Sequence, residues 1–267
     1  MAGVFTDDRV QIVQVLAAQA AISLDNATLY DDAQRAIKIR DEFLSIASHE
    51  LKTPLTSIQL QSQVIKRRLA KGDASALLPE ALVKLVEQTD RQTARLARLV
   101  DEMLDVSRIN AGRFTLYMEP QDLVTLVRET ADRCELVISQ AGSKVTVDAQ
   151  GPIMCQLDTF RMEQVVLNLL TNAARYGEGK PIEVIVRGEP DGCAEIAVRD
   201  HGRGIASDSQ SRIFERFERA TSMNESSALG LGLYIAREIV QGHGGTIRVE
   251  SELGRGATFL VRIPARR

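Results

Sequence analysis

Tryptophan is absent from this chain, and cysteine and histidine occur only three times each. The cysteines, Cys134, Cys155 and Cys193, are scattered, with no C-x-x-C pair. That excludes a disulfide framework and leaves them as small apolar residues of a reducing compartment. No run of 18 apolar residues occurs, so no segment reads as a bilayer-spanning helix. Residues 11–24 are Ala-rich but carry Gln and Ser, and no signal-peptide pattern precedes them. There is no excess of positive charge: 33 basic against 36 acidic residues leave a net charge of −3. Nucleic acid and an anionic membrane surface are therefore not expected partners, and the chain is expected in the cytoplasm. With 44% hydrophobic and 26% charged residues over 267 positions, the chain reads as globular, with about two domains.

What is present begins with a long helical pattern around Ser48-His49-Glu50-Leu51-Lys52-Thr53-Pro54-Leu55. Leu44, Leu51, Leu55, Ile58, Ile65 and Leu69 recur in alternating steps of four and three, with Ser48 and Ser62 filling the gaps. At roughly 100° per residue, His49 falls about 140° from the centre of that stripe, so it faces solvent. Glu50 is beside it, and Lys52 and Thr53 share its face. Pro54 removes the backbone bond to the Glu50 carbonyl, which predicts a bend. A solvated helix surface that happens to include a histidine would look the same.

Residues 8–30 continue this pattern upstream, with Val10, Val13, Ala17, Ala20, Leu24 and Ala27 at heptad-like steps. Downstream, a turn at 71–75 precedes a second helix over roughly 76–110. That helix carries two apolar lines: Leu82, Val86, Leu96, Val100 and Met103, and beside it Leu85, Leu99 and Val106. A two-helix hairpin cannot cover both lines, so a homodimeric four-helix bundle is expected. Arg91, Arg95 and Arg98 are placed on the outer, solvated face. After Ala111-Gly112-Arg113 short strands alternate with helices, which predicts an α/β sandwich with helices on one side of a mixed sheet. Expected strands are 114–118, 144–149, 153–157, 182–187, 194–198, 246–250 and 257–263. Expected helices are 122–140, 158–175 and 229–241, the second capped by Asp158 or Thr159.

Four motifs in this second half carry chemistry. Asn168 and Asn172 share a helix face with Glu163, and two amide oxygens suit a hydrated Mg2+ that bridges phosphates. Arg175 and Tyr176 extend the row. Asp200-His201-Gly202-Arg203-Gly204 follows a strand, where a carboxylate can accept from an exocyclic amine and the glycines would let backbone approach a ring. Leu229-Gly230-Leu231-Gly232-Leu233 opens a helix, a setting that favours phosphate. Gly254-Arg255-Gly256-Ala257-Thr258-Phe259 enters the last strand. Singly, each is an ordinary surface or turn pattern.

As an ordered set they are similar to the sensor histidine kinases. SHELKTPLTSI resembles that family's phosphoacceptor box, NLLTNAARY its Asn box, DHGRGI, LGLGLYIA and GRGATF its Gly boxes, and IFERF its Phe box. The resemblance spans residues 35–265. It implies a dimerising phosphotransfer hairpin at 35–112 and a Bergerat-type ATP-binding domain at 113–267. Residues 1–34 resemble the closing helix of a GAF sensor domain, as part of a larger protein; a coiled-coil lead-in would give the same pattern. His49 matches the phosphorylated histidine, Glu50 its acidic neighbour, and Thr53 the residue that supports dephosphorylation of the partner. Asn168 and Asn172 match the Mg2+-ATP asparagines, with Asn172 on the metal, and Asp200 matches the adenine-binding aspartate. Arg175, Tyr176, Gly202, Gly204, Arg219, Gly230, Leu231, Gly232, Leu233 and Thr258 fall in the nucleotide-binding boxes. Ser227-Ala228 stand where the family carries a Gly-Thr-Gly lead.

The implied reaction is transfer of the ATP γ-phosphoryl group to His49, then to an aspartate of a response-regulator receiver domain. The ordinary imidazole pKa of about 6.5 suits this, since it leaves a neutral nucleophilic nitrogen at neutral pH. No receiver-like segment is present. The competing expectations are a Bergerat-fold ATPase without histidine transfer and a silent scaffold. His201 and His243, beside glycines, read as structural.

Overall fold

The computed structural model describes residues 7–72, 79–218 and 229–265. A helix α1 (Asp7–Ala70) and a helix α2 (Pro79–Asn110) form a hairpin. An α/β unit follows, in the order β1 (Glu119–Asp122), α3 (Leu123–Gln140), β2 (Val145–Ala149), β3 (Met154–Leu157), α4 (Thr159–Tyr176), β4 (Ile182–Gly188), β5 (Cys193–Arg199), α5 (Gly232–Gly242), β6 (Thr246–Glu252) and β7 (Gly256–Pro264). The hairpin-then-sandwich fold expected from the sequence is the one observed.

The helical pattern over 8–30 and its continuation around His49 form one helix, which runs through Pro54 without a break. The side chains of Val10 and Val13 lie outside the described residues. Upstream of His49 the apolar line is open, with Ile12, Leu16, Ile22, Leu24 and Leu29 all more than half exposed. In α2 the two apolar lines separate. Leu99 and Val106 are buried, whereas Leu82, Val86 and Val100 stay exposed. The Leu99 line covers the inside of the single chain, and the Leu82 line is left open to solvent.

The main sheet has the order β2-β4-β5-β7-β6, with β2 and β4 parallel and the other pairs antiparallel. Its register aligns Val147, Val184, Val198, Phe259 and Val249 across all five strands, and Ala149, Val186, Ile196, Val261 and Ile247 in the next row. Because side chains alternate along a strand, both rows lie on one face. Against that face α4 buries Met162, Val165, Val166, Leu169 and Leu170 completely, and α5 buries Ile235 and Ile239. Each such side chain contributes about 1.5–3 kcal/mol by leaving water. Cys134 and Cys155 belong to this core, and burial pushes the Cys155 thiol up to about 11.

Two expectations change. Residues 114–118 are not a strand. The Tyr117 N–H donates to Asp158 Oδ2 at 2.9 Å, so a side chain takes the place of a ladder partner, and pairing with β3 starts only at Glu119. Helix α5 starts at Gly232 instead of Leu229, because Gly230 has φ of +69° and its carbonyl accepts from the Phe217 N–H at 3.2 Å. Among the described residues no helix is long and apolar enough to cross a membrane.

Asp158 caps α4 by accepting from the Arg161 N–H at 3.1 Å. Its own N–H donates to His243 Nε2 at 3.0 Å, and His243 Nδ1 donates to the Ile239 carbonyl at 2.8 Å. His243 is thus a buried tie between the end of α5 and the start of α4. Its replacement by Ala leaves a buried N–H unpaired. We expect His243→Ala to lower unfolding free energy by about 1–3 kcal/mol, measured by urea denaturation.

Candidate functional site

Two sets of chemical groups stand apart on this fold. The first is on α1. The His49 side chain is 80% exposed, and its Nδ1 is 3.7 Å from Glu50 Oε1. Glu50 is itself half-buried, because Arg95 Nη2 of α2 donates to its Oε2 at 3.1 Å. This corrects the placement of Arg95 on the outer face: it is one helical turn before the buried Leu99 and therefore faces α1. Thr53 follows His49 by one turn and donates its hydroxyl to the His49 carbonyl at 3.1 Å.

The second set surrounds a cleft of about 280 Å3. Helix α4 supplies one wall. Its apolar stripe is fully buried on the sheet, so Arg161, Gln164, Asn168, Asn172 and Arg175, at steps of three and four, share the opposite face. Asn168, Asn172, Arg175 and Tyr176 line the cleft. Asn168 Nδ2 donates to the Gly232 carbonyl at 3.1 Å, which turns the amide oxygen into the acceptor available to a ligand. Glu163, expected on the same face, is instead bound to Arg133 of α3 at 2.8 Å.

Asp200, at the end of β5, forms the floor and is buried. Its Oδ1 accepts from the Gly202 N–H at 2.9 Å and the Ala257 N–H at 3.3 Å. Among the described residues no donor is set against Oδ2, which suits an exocyclic amine. Burial raises the Asp200 pKa from its ordinary value, against the two backbone N–H groups that lower it. Ile205, Ile213, Leu233, Leu253 and Phe259 give apolar walls for a ring, and Arg203 lies 4.7 Å above the Tyr176 ring.

Several predicted residues take other places. Gly202 and Gly204 answer to packing within the protein. A Cβ at Gly202 would overlap the Tyr176 carbonyl oxygen, and one at Gly204 the Glu252 carbonyl, so these glycines admit neighbouring protein backbone. Gly204, Gly230, Gly232 and Leu233 do line the cleft. Leu231 is wholly buried in the core. Thr258 points to the far face of the sheet, since Ala257 and Phe259 on either side of it line the cleft. Arg219 lies outside the described residues.

Sequence reasoning missed the wall contributed by α2. Arg98 and Glu102 line the cleft opposite Arg175. Next to them Asp105, buried, accepts from Arg161 Nη1 at 2.7 Å and Gln164 Nε2 at 2.9 Å. The Arg161 guanidinium also lies 4.8 Å from the Phe114 ring centre. The available signal was Arg98, Glu102 and Asp105 at i, i+4 and i+7, beside the buried Leu99 and Val106. Burial pushes Glu102 up from the usual 4.5 to about 7, with Arg98 and Arg175 opposing the shift and Asp105 adding to it. His49 is not among the residues that line this cleft.

The cleft offers two amide acceptors, three arginines, a buried carboxylate and apolar walls, a set that fits a purine nucleotide with a hydrated divalent ion on its phosphates. Residues 39–112 match the family model of the His Kinase A phospho-acceptor domain, and residues 157–267 that of the histidine kinase-, DNA gyrase B- and HSP90-like ATPases. The alginate biosynthesis sensor protein KinB of Pseudomonas aeruginosa is 36% identical over 86% of this chain and 38% of its own length. The sensor-like histidine kinase SenX3 of Mycolicibacterium smegmatis is 30% identical over 89% of this chain and 62% of its own length. The chain thus spans less than two thirds of these relatives. Histidine kinase ThkA, solved in complex with response regulator protein TrrA, superposes with a TM-score of 0.62 at 24% identity, over 87% of this chain and 64% of that one. Full-length ShkA in complex with AMPPNP gives 0.60 at 23%, over 80% and 46%.

Glu102 carries a pH prediction. Its raised folded-state pKa adds stability that is present below about pH 4.5 and is lost as pH rises through about 7. Glu102→Gln removes that slope. We expect the variant to gain up to about 2–3 kcal/mol relative to the parent at about pH 8, and little at about pH 4.5, in urea unfolding across that range.

Proposed function

Because this chain belongs to the sensor histidine kinases, we propose that it is the catalytic core of an ATP-dependent protein-histidine kinase, which phosphorylates itself on His49 and passes the phosphoryl group to an aspartate of a response-regulator receiver domain. One observation carries the reading. A single cleft gathers Asn168, Asn172, Arg175, Tyr176 and Asp200, while an exposed imidazole with a fixed carboxylate neighbour stands on the adjoining hairpin. The segments follow as a signalling helix at 1–34, derived from a GAF-type sensor, a phosphotransfer hairpin at 35–112 and an ATP-binding domain at 113–267. The uninterrupted α1 supports this, since it joins the first segment mechanically to His49. The exposed line of Leu82, Val86 and Val100 supports a homodimer closed as a four-helix bundle.

The chemistry assigns roles to atoms. Asp200 Oδ2 accepts from the adenine amino group, and the apolar walls hold the ring. Asn168 and Asn172 would hold the Mg2+ of the nucleotide through their amide oxygens, with phosphates and water completing its shell. The bound ion neutralises phosphate charge. Arg175 binds a phosphate oxygen. Glu50 Oε1 faces His49 Nδ1, so the Nδ1–H tautomer is favoured and Nε2 carries the lone pair. Nε2 attacks the γ-phosphorus, the bond from that phosphorus to the bridging β–γ oxygen breaks, and ADP leaves. Glu50, held by Arg95, takes up the charge and the proton that the ring gives up. Thr53, one turn along, faces the same solvent side and suits attack on the receiver's phosphoaspartate. Because His49 is off the cleft of its own chain, transfer takes either a shift of the sandwich along the hairpin or the cleft of the dimer partner.

Incubation with labelled ATP and Mg2+ should give an acid-labile, alkali-stable phosphoprotein. His49→Ala should abolish the label without loss of nucleotide binding. Asn172→Ala and Asp200→Asn should each lower labelling by about 10–100-fold. Full acid-labile labelling of His49→Ala would remove His49 from its role. Steady ADP release without a phosphoprotein would make the chain a plain ATPase, and no nucleotide binding a scaffold.

A further inference from the structure

The cleft is completed by a helix from another part of the chain. Arg98 and Glu102 reach it from α2 and face Asn168, Asn172 and Arg175 on α4. Almost one turn further along α2, the pair of Asp105 with Arg161 pins the two helices together, at 2.7 Å and with both side chains largely buried. Gln164 adds a second bond to the same carboxylate oxygen. Phe43 of α1 packs against Phe217 with ring centres 5.9 Å apart, a second contact between the sandwich and the hairpin. Helical spacing then sets what α2 presents: with Asp105 fixed on α4, Glu102 and Arg98 are carried to the cleft that Arg175 also lines.

The charges there conflict with the ligand. Arg98 and Arg175 both favour a charged Glu102. A triphosphate brings several negative charges to the same guanidinium of Arg175. A carboxylate and a phosphate that compete for one cation, in a partly desolvated wall, repel each other more strongly than in water. Any nucleotide that binds better once α2 has moved must in turn favour the form in which α2 has moved. That is the form in which the sandwich is free to travel towards His49.

We propose that Glu102 makes triphosphate occupancy and the docking of α2 on the cleft mutually antagonistic, so that it discriminates nucleotides by phosphate count and couples ATP binding to release of the sandwich. The inference rests on the reading of the cleft as an ATP site. Arg175, which lines the same cleft and whose charge acts on Glu102, binds phosphate when nucleotide enters, and the Asp105 pair sets how tightly the docked form resists.

The test measures dissociation constants of AMPPNP, ADP and adenosine, with Mg2+, on the whole chain at about pH 8, where the carboxyl is ionised. Glu102→Gln should tighten AMPPNP by about three- to ten-fold, ADP by less, and adenosine not at all. Glu102→Asp, which keeps the charge, should stay within about two-fold of the parent for all three. Asp105→Asn, which unpins α2, should also tighten AMPPNP, and adding Glu102→Gln to it should bring little more. Equal shifts for all three ligands, no shift, or a Glu102→Asp that behaves as Glu102→Gln would overturn the proposal and leave the ATP site standing. A parent chain that binds none of the three ligands would overturn the ATP reading itself.

Discussion

The burial of one face of α4 on the mixed sheet governs the rest of this structure. Five of its side chains, Met162, Val165, Val166, Leu169 and Leu170, lose all contact with water against strands whose inward rows are apolar from edge to edge. At about 1.5–3 kcal/mol each, that stripe fixes the rotation of the helix far more firmly than any polar contact on it. The polar row from Arg161 to Arg175 is then forced to the other side. Nothing in that row has to stabilise the fold. It is free to hold chemistry at Asn168 and Asn172, and a docking contact at Arg161.

Backbone packing does the second part of the work. The floor of the cleft forms where the turn after β5 meets the end of α4 and the turn between β6 and β7. These segments approach so closely that a side chain at Gly202 or Gly204 would strike a carbonyl oxygen. The same approach delivers two N–H groups to one oxygen of Asp200 and turns the other towards the cavity. A carboxylate held in this way is oriented before any ligand arrives, and its partial burial is offset by those bonds.

The hairpin has two distinct interfaces, and their polarity separates their roles. On its inner side it offers Leu99, Val106 and the buried Asp105, which satisfy the single chain. Away from it, Leu82, Val86 and Val100 remain open on α2, as does the apolar line upstream on α1. A buried ion pair such as Asp105 with Arg161 contributes little net stability but fixes one geometry, since removing either partner strands a charge. That suits a contact that sets how the sandwich sits on α2, the helix beside the one that carries His49.

Local pattern was enough to place His49 on an exposed helix face, to start α4 at a cap of Asp158 or Thr159, and to put Asn168, Asn172 and Arg175 on one side of that helix. Helical and strand periods are short-range properties of the chain, and the glycines mark turns by their own conformational freedom. The order of the motifs likewise carried the family and the hairpin-then-sandwich architecture. Tertiary contact alone decided the rest. Thr258 and Leu231 sit in nucleotide-box motifs, yet strand alternation and core packing turn them away from the cleft. Arg95 reads as surface charge until α1 brings Glu50 to it. Glu102 belongs to no sequence motif, and its surroundings, Arg175 among them, exist only once the sandwich lies against α2. Such roles depend on residues 45 to 73 positions apart in the chain, and no local period encodes what a partner at that distance will bring.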